Sequence, residues 1–299
     1  MINVNFSILL LTHNEEDNIK RCLNALSVCD DIVVIDDMST DNTVSIIQSF
    51  PNTRVFIRKF DNFANQRNYA LDNILFKHTW ILHLDADEVV TEVFLDECNK
   101  LAEKDEKSAY WVPCKLMFFG KWIKHASGYP VYQMRFMKLG EIRFVQVGHG
   151  QREGKSIRGI GYMKNAYLHY NFSKGLEEWK EKHNKYSLAE AIEEVFEKPC
   201  SFLGLFSHDK IIKRRTLKYL SHKICGRPFI RFLYLYIIKK GFLDGMSGYK
   251  YCKLMALFEK MIVLKKHEIK KACGTDKEKI KQYIKQNHNI DVDIIINEE

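Results

Sequence analysis

The chain has 299 residues, 46% apolar composition and a net charge of +8. That length suits one large domain with an appendage, or two modest domains. Eight cysteines without a CxxC pair read as reduced core thiols of a cytosolic protein, and no stretch reaches the ~20 apolar residues of a membrane span.

"MINVNFSILLLTHNEE" has no basic n-region and no small-residue cleavage site, so it reads as a first strand and not a signal peptide. "FSILLLT" (6–12) is a near-continuous apolar run, as in a parallel strand covered on both faces. "NEEDNIKRCLNAL" follows as a helix, with Asn14 as N-cap, acids in the first turn, and Ile19, Cys22, Leu23 and Leu26 at helical spacing. "DIVVIDD" (31–37) is a second strand and "STDNTVSIIQSF" (39–50) a second helix. "TRVFIRK" (53–59), a helix over 62–75, and "TWILHLD" (79–85) continue the alternation. Strands separated by single helices predict right-handed βαβ units and a doubly wound, mostly parallel α/β sheet. After residue 105 the pattern changes to strands with aromatic alternation, "SAYWVPCKLMFFGKWI" and "VYQMRFMKLGEIRFV". A helix is expected from about Leu176 to Glu197. Basic amphipathic helices then run to Cys273, broken at Gly226-Arg227-Pro228 and Gly241 to Gly248. A short helix and a possible strand end the chain. The expected organisation is a catalytic domain over 1–198, with halves 1–105 and 106–198, and a basic helical region over 199–299.

The ends of the strands carry the chemistry. Asp85, Asp87 and Glu88 sit between buried apolar residues, where isolated carboxylates are costly without a positive partner. Thr12-His13-Asn14-Glu15 and Asp36-Asp37 end two other strands, and ligands of open α/β sheets bind beyond that rim. In an extended segment Asp85 and Asp87 face one point while Ala86 faces away. Two hard oxygen ligands suit Mg²⁺ or Mn²⁺ holding phosphate oxygens. The alternative is that Asp-Ala-Asp only caps the next helix, starting near Thr91. Acids at the end of strand two as well favour a site.

"SILLLTHNEEDNIKRCLNAL", "DDIVVIDDMSTDNT", "NQRNYAL" and "WILHLDADE" resemble, in order, the successive motifs of the family-2 glycosyltransferases, which have the GT-A nucleotide-sugar fold. The resemblance covers roughly residues 5–105. A weaker one, through "RFMKLGEIRFVQVGHGQREG", "LHYNFSKGLEEW" and "GFLDGMSGYKY", points to the branch related to lipopolysaccharide-core glucosyltransferases. That branch often carries a His-Glu pair, whereas here Gly-Gln-Arg separates His149 from Glu153. The resemblance implies that Thr12, Asn14 and Glu15 hold the uridine and that Asp37, with Asp36 beside it, touches base or ribose. It places Gln66 and Arg67 near the donor, Asp85 on ribose or metal-bound water, and Asp87 on the metal. Arg67 reads alternatively as a surface ion pair, and Asp41 as a helix cap. Inverting displacement needs a general base. Glu153 and His149 are the candidates, with Glu141 behind them. Glu153 could instead be a solvated loop residue, and His149 a metal or phosphate contact. His169, flanked by aromatics, reads as a satisfied core histidine.

Charge is uneven. Between Cys200 and Cys273 stand 17 Lys/Arg and 4 Asp/Glu, a balance of +13, which leaves −5 for the remainder. Cations interleaved with apolar and aromatic residues over 202–273 resemble interfacial helices on an anionic membrane surface; the plainer alternative is a helical cap. The reading is a metal-dependent inverting hexosyltransferase. It uses a UDP-sugar donor and a glycan or lipid-linked glycan acceptor, and is peripheral at the inner face of the cytoplasmic membrane. Rivals are a nucleotidyltransferase of similar fold, which would show a Gly-rich loop where "THNEED" has no glycine, and a nucleic-acid-binding module. Against the second, the rim is acidic and no nucleic-acid motif is visible, so no nucleic-acid partner is expected. A catalytically dead relative would share the same motifs.

Overall fold

A computed structural model describes residues 4–147 and 150–293. They form two compact units, dividing between Lys174 and Gly175. The first unit opens with β1 (Ser7–Thr12), α1 (Glu16–Ala25), β2 (Ile32–Asp36), α2 (Thr43–Gln48), β3 (Thr53–Ile57), α3 (Phe63–Asn73) and β4 (Trp80–Asp85). It continues with β5 (Glu88–Val89), α4 (Glu92–Lys104), β6 (Ala109–Phe118), β7 (Lys121–Trp122), β8 (Val131–Lys138), β9 (Phe144–Val147), β10 (Gly150–Glu153), β11 (Ile160–Tyr162) and β12 (Tyr167–His169).

The sheet has the order β3-β2-β1-β4-β8-β6-β12-β5, with β7 and β11 also paired to β6. β1 to β4 are mutually parallel, β8 runs antiparallel to both β4 and β6, and β12 is parallel to β6. This is the doubly wound, mostly parallel sheet expected from the alternation. The period of two splits each apolar run between two cores. Ile8, Leu10, Val34, Leu82 and Leu84 pack with Ile19 and Leu23 of α1 and Phe94 of α4. Leu9, Val33, Ile35 and Ile81 pack with Ala70 and Leu71 of α3. Each large aliphatic side chain so buried contributes about 1.5–3 kcal/mol. The register sets Thr12 opposite Asp36, and Leu11 opposite Asp85, at one edge of the sheet.

The second unit contains α5 (Gly175–Phe196), α6 (Lys210–Ser221), α7 (Arg227–Leu233), α8 (Gly245–Cys273) and α9 (Lys277–His288). Leu188, Ala191 and Ile192 of α5 pack with Ile262 and Ile269 of α8 and Ile280 and Ile284 of α9, so α5 belongs to this unit's core. The buried Glu194 carboxylate pairs with Arg227 (2.8 Å) and Lys266 (2.6 Å) and ties α5 to α7 and α8. Gly226 takes a left-handed φ of 73° before Pro228, which produces the expected break. The second break is shorter than predicted. It ends at Asp244, and α8 runs on through Gly248, where a Cβ would lie 2.2 Å from the Gly241 carbonyl oxygen, so the glycine serves a close backbone approach and not a helix break. The tail strand expected near the C-terminus falls largely on residues 294–299, outside the described residues. Among the described residues no helix is long and apolar enough to cross a membrane.

Candidate active site

The loops after β1 and β2 hold each other through side chains. Asp36 is wholly buried, and its carboxylate accepts from the Thr12 hydroxyl (2.8 Å), the Ser39 amide (2.8 Å) and the Ser39 hydroxyl (2.5 Å). Thr12 and Asp36 therefore form an internal brace. Asn14 does not cap α1. It sits at φ 51°, its side-chain oxygen accepts from the Thr40 amide (2.8 Å), and Glu15 is the residue that precedes the helix. The turn after β2 thus occupies the Asn14 side-chain oxygen that capping would need. Asp41 takes the capping work, accepting from the Thr43 amide (3.0 Å) and the Glu16 amide (3.2 Å) at two helix starts. Glu15 pairs with Lys174 (2.7 Å), yet burial outweighs that cation and raises its carboxyl. Asp37 accepts from the Phe60 amide (2.8 Å), which fixes the segment after β3.

At the end of β4 the positive partners are two arginines. Arg67 of α3 reaches Asp85 Oδ1 at 2.9 Å and Arg135 of β8 reaches Oδ2 at 2.8 Å; both side chains are about 95% buried. Arg135 also pairs with Glu88, whose other carboxylate oxygen accepts from the Asp85 amide at 2.9 Å. Burial alone would raise Asp85, but Arg135 and Arg67 hold its carboxyl well below the usual range. Burial pushes Glu88 the other way, up to about 7. Arg67 is thus a buried member of the site and not a surface pair. Gln66, its neighbour, turns to Arg58, donating to the Arg58 carbonyl at 3.0 Å.

Asp85 and Asp87 do not share one direction. A turn intervenes at Ala86-Asp87, so Asp85 meets the arginines while Asp87 Oδ2 lies 3.2 Å from His169 Nε2. His169 is therefore not a core histidine. β12 pairs with β5, setting His169 opposite Glu88, and this brings the ring beside Asp87. Burial would lower the imidazole, but the Asp87 hydrogen bond and the nearby carboxylates push it well above its ordinary value.

A cavity of about 420 Å³ opens here. It is lined by the charged or polar Asp85, Arg67, Arg135, His169, Gln133 and Glu153 and by Phe63, Trp111, Tyr132 and Met134. Glu153 is placed by a chain of contacts. It pairs with Phe144 across the β9–β10 hairpin, and the Asn68 side chain clamps Phe144 to α3 by donating to its carbonyl (2.8 Å) and accepting from its amide (3.0 Å). Burial raises the Glu153 carboxyl. His149 lies outside the described residues. Glu141 is engaged elsewhere, with Ser108 (2.7 Å) and Arg158, and Arg158 lowers its carboxyl.

Arg135, Glu88, His169 and Asn68 were not singled out as site residues from the sequence. For Arg135 a signal exists: a lone cation in "QMRFM" demands a buried counter-charge. Among the described residues no cluster of three or more His, Cys, Asp or Glu could hold a metal alone. The site nonetheless fits a divalent ion that shares its shell with phosphate oxygens, as Mg²⁺ usually does. Asp87 offers the carboxylate, and its 3.2 Å spacing from His169 is close to the roughly 3 Å between adjacent ligands bound at ~2.1 Å.

Residues 7–150 match the model of Glycosyl transferase family 2. An uncharacterised glycosyltransferase of Rickettsia typhi is 22% identical over 255 residues, covering 81% of this chain and 80% of the relative. The lipopolysaccharide core biosynthesis glycosyltransferase LpsC of Rhizobium meliloti is 24% identical over 270 residues, covering 84% of this chain and 90% of LpsC. The structure of S. aureus TarS 1–349 in complex with UDP aligns over 90% of each chain with 14% identity and a TM-score of 0.43. Residues 7–150, just under half of the chain, are thus similar to glycosyl transferase family 2, and the relatives that span most of the chain are named glycosyltransferases.

Proposed function

We propose that this enzyme moves a hexose from a UDP-sugar to a glycan or lipid-linked glycan acceptor with inversion, in lipopolysaccharide or other cell-surface polysaccharide synthesis. The observation that carries the reading is one cavity lined by Asp85, Arg67, Arg135, His169 and Glu153, with Asp85 ion-paired to both arginines and Asp87 beside His169. The similarity to LpsC supports the pathway class.

In this reading the loop residues Asn14, Glu15 and Asp37 contact the nucleoside, while Thr12, Asp36 and Gln66 act behind them by bracing the loops. Asp85, held rigid by two arginines, meets the ribose. Asp87 would hold Mg²⁺ or Mn²⁺, with His169 as a second ligand once the ion displaces its proton, and the ion when bound would stabilise charge on the departing diphosphate. Glu153 accepts the proton of the acceptor hydroxyl. The hydroxyl oxygen bonds to the anomeric carbon as the bond to the diphosphate breaks, and UDP leaves with the electron pair. Its raised, half-buried carboxyl suits a base better than an exposed glutamate would. His149 remains the other candidate for this role.

The second unit supports peripheral docking at the anionic inner face of the cytoplasmic membrane. Phe202, Leu203, Phe206 and Ile211 are 60–75% exposed, beside Lys210, Lys213, Arg214 and Arg215. Such a combination of apolar side chains and cations suits an interfacial surface. A hydrolysis screen of UDP-, GDP- and dTDP-sugars with and without Mn²⁺ tests the core of the reading. Metal-stimulated UDP-sugar hydrolysis is expected; a preference for GDP- or dTDP-sugars overturns the donor, and full activity in EDTA overturns the metal.

A further inference from the structure

The strand pair that carries Glu153 stands apart from the main sheet. Among the described residues β9 and β10 pair only with each other. A lone two-stranded hairpin is marginal in water, so its place has to be fixed from outside. That support comes from α3. The Asn68 side chain donates to the Phe144 carbonyl at 2.8 Å and accepts from the Phe144 amide at 3.0 Å. One side-chain amide thus satisfies both main-chain groups of a single residue, as a neighbouring strand would. One turn further along α3, Asp72 pairs with Arg143, the residue before Phe144.

The same contacts fix the direction in which Glu153 faces. Phe144 and Glu153 stand directly opposite each other, and the next pair carries the ladder bond, from the Gly154 amide to the Arg143 carbonyl at 2.8 Å. Phe144 gives its own main-chain groups to Asn68. Its pair with Glu153 is therefore of the non-hydrogen-bonded kind, in which the two side chains lie closest on one face. The Phe144 ring is buried, meets the His83 ring edge to face at 5.3 Å, and has the Arg67 guanidinium 5.8 Å from its centroid. Glu153 shares that face, and Arg67 acts on its carboxyl. Two consecutive residues of α3 thus reach two parts of the site, Arg67 the Asp85 carboxylate and Asn68 the hairpin.

We propose that Asn68 is a positioning residue for the reaction: its amide fixes the β9–β10 hairpin on α3 and so sets where Glu153 stands relative to Asp85 and the donor. Asn68 touches no reacting atom and acts through Glu153. The assignment rests on the reading of Glu153 as the base.

The test compares, in the full chain, Asn68→Ala, Asn68→Gln, Glu153→Gln and the double variant Asn68→Ala with Glu153→Gln. Hydrolysis of UDP-glucose, UDP-galactose and UDP-N-acetylglucosamine with Mn²⁺ reads turnover, and calorimetry reads UDP affinity. Asn68→Ala should lower kcat by roughly 10- to 100-fold, the scale of an ångström-sized misplacement. KM for the donor and UDP affinity should stay unchanged, which also shows that the donor-binding half is folded. Asn68→Gln keeps the amide on a longer arm and should recover part of the loss. The acid limb of the pH–rate profile should move to lower pH in Asn68→Ala, because burial is what raises the Glu153 carboxyl and a released hairpin exposes it. In the Glu153→Gln background, Asn68→Ala should add less than about 2-fold, since the group it positions is already gone. Wild-type turnover in Asn68→Ala, an equal loss in both backgrounds, or a fall in UDP affinity overturns the proposal and leaves the base standing. Wild-type turnover in Glu153→Gln overturns the base and the proposal together, and a wild type that hydrolyses none of these donors overturns the donor reading.

Discussion

Removal of Arg135 separates bracing from catalysis. Arg135→Met leaves Asp85 with Arg67 and leaves Glu88, wholly buried, with the Asp85 amide and only the neighbouring His169 as a cation. Breaking one side of a buried ion pair costs about 3–5 kcal/mol. Glu88 recovers part of this by binding a proton, because burial already raises its carboxyl to about 7 with the arginine in place. At about 1.4 kcal/mol per pKa unit, the net loss at neutral pH should be about 2–4 kcal/mol. The sign with pH follows. A carboxyl whose folded value lies above its unfolded value favours folding when protonated, so the deficit should shrink towards pH 5 and grow as pH rises through the folded value. Arg135→Met combined with Glu88→Gln removes both charges and should recover most of the lost stability. Donor hydrolysis should stay low in both variants, because Asp85 is then held from one side only. Urea unfolding followed by tryptophan fluorescence is the assay, since Trp80, Trp111 and Trp122 lie in the first unit and only Trp179 in the second. If the single variant unfolds within 0.5 kcal/mol of wild type, or the double is no more stable than the single, the ion-pair account is wrong.

Asp87→Ala should lower turnover by ~10²-fold or more while the fold survives, on the scale of a lost charge-stabilising contact; near-normal turnover in this variant removes the ligand assignment. Glu153→Gln should cost about 10²–10⁴-fold in turnover with UDP affinity nearly unchanged. Because burial raises Glu153, the acid limb of the wild-type pH–rate profile should lie above that of an ordinary glutamate; if that variant stays active and His149→Ala does not, His149 is the base. Sedimentation with anionic vesicles should show binding that weakens with salt, at about 1 kcal/mol per cation within a Debye length of ~8 Å. Reversal of Lys213, Arg214, Arg215 and Lys218 to Glu should release the protein and spare donor hydrolysis, whereas a wild type that ignores such vesicles makes these helices a structural cap.

The parallel half of the sheet was legible because its signal is local. Runs such as "SILLLT" and "DIVVID" carry their own burial, and the four motifs keep their order along the chain. What was not legible depends on pairing between distant strands. Arg67 stands 18 residues before Asp85, but Arg135 stands 50 after it, on a strand that runs antiparallel to β4. No periodicity announces that neighbour. His169 shows the same limit: aromatic flanks suggested a core, and only the β5–β12 pairing reveals that the ring faces Asp87. The i, i+2 argument for Asp85 and Asp87 failed for a local reason, since the strand ends at Asp85 and a turn rotates the next two residues.

These pairings bear on how the site meets a nucleotide diphosphate. Arg67 and Arg135 offset Asp85 and Glu88, and His169 offsets Asp87. Arginines already engaged with buried carboxylates orient the floor but bring little surplus positive charge to an anionic ligand. The surplus has to come from another source, and a divalent ion anchored at the partly buried Asp87 carboxylate would supply it. Two perturbations then report on one event. EDTA removes the ion and Asp87→Ala removes its anchor, so each should suppress donor hydrolysis, and neither should add to the other. Loss in EDTA with full activity in Asp87→Ala would place the ion on other residues. Loss in Asp87→Ala with full activity in EDTA would leave His169, freed from its carboxylate partner, as the group whose displacement disables the site.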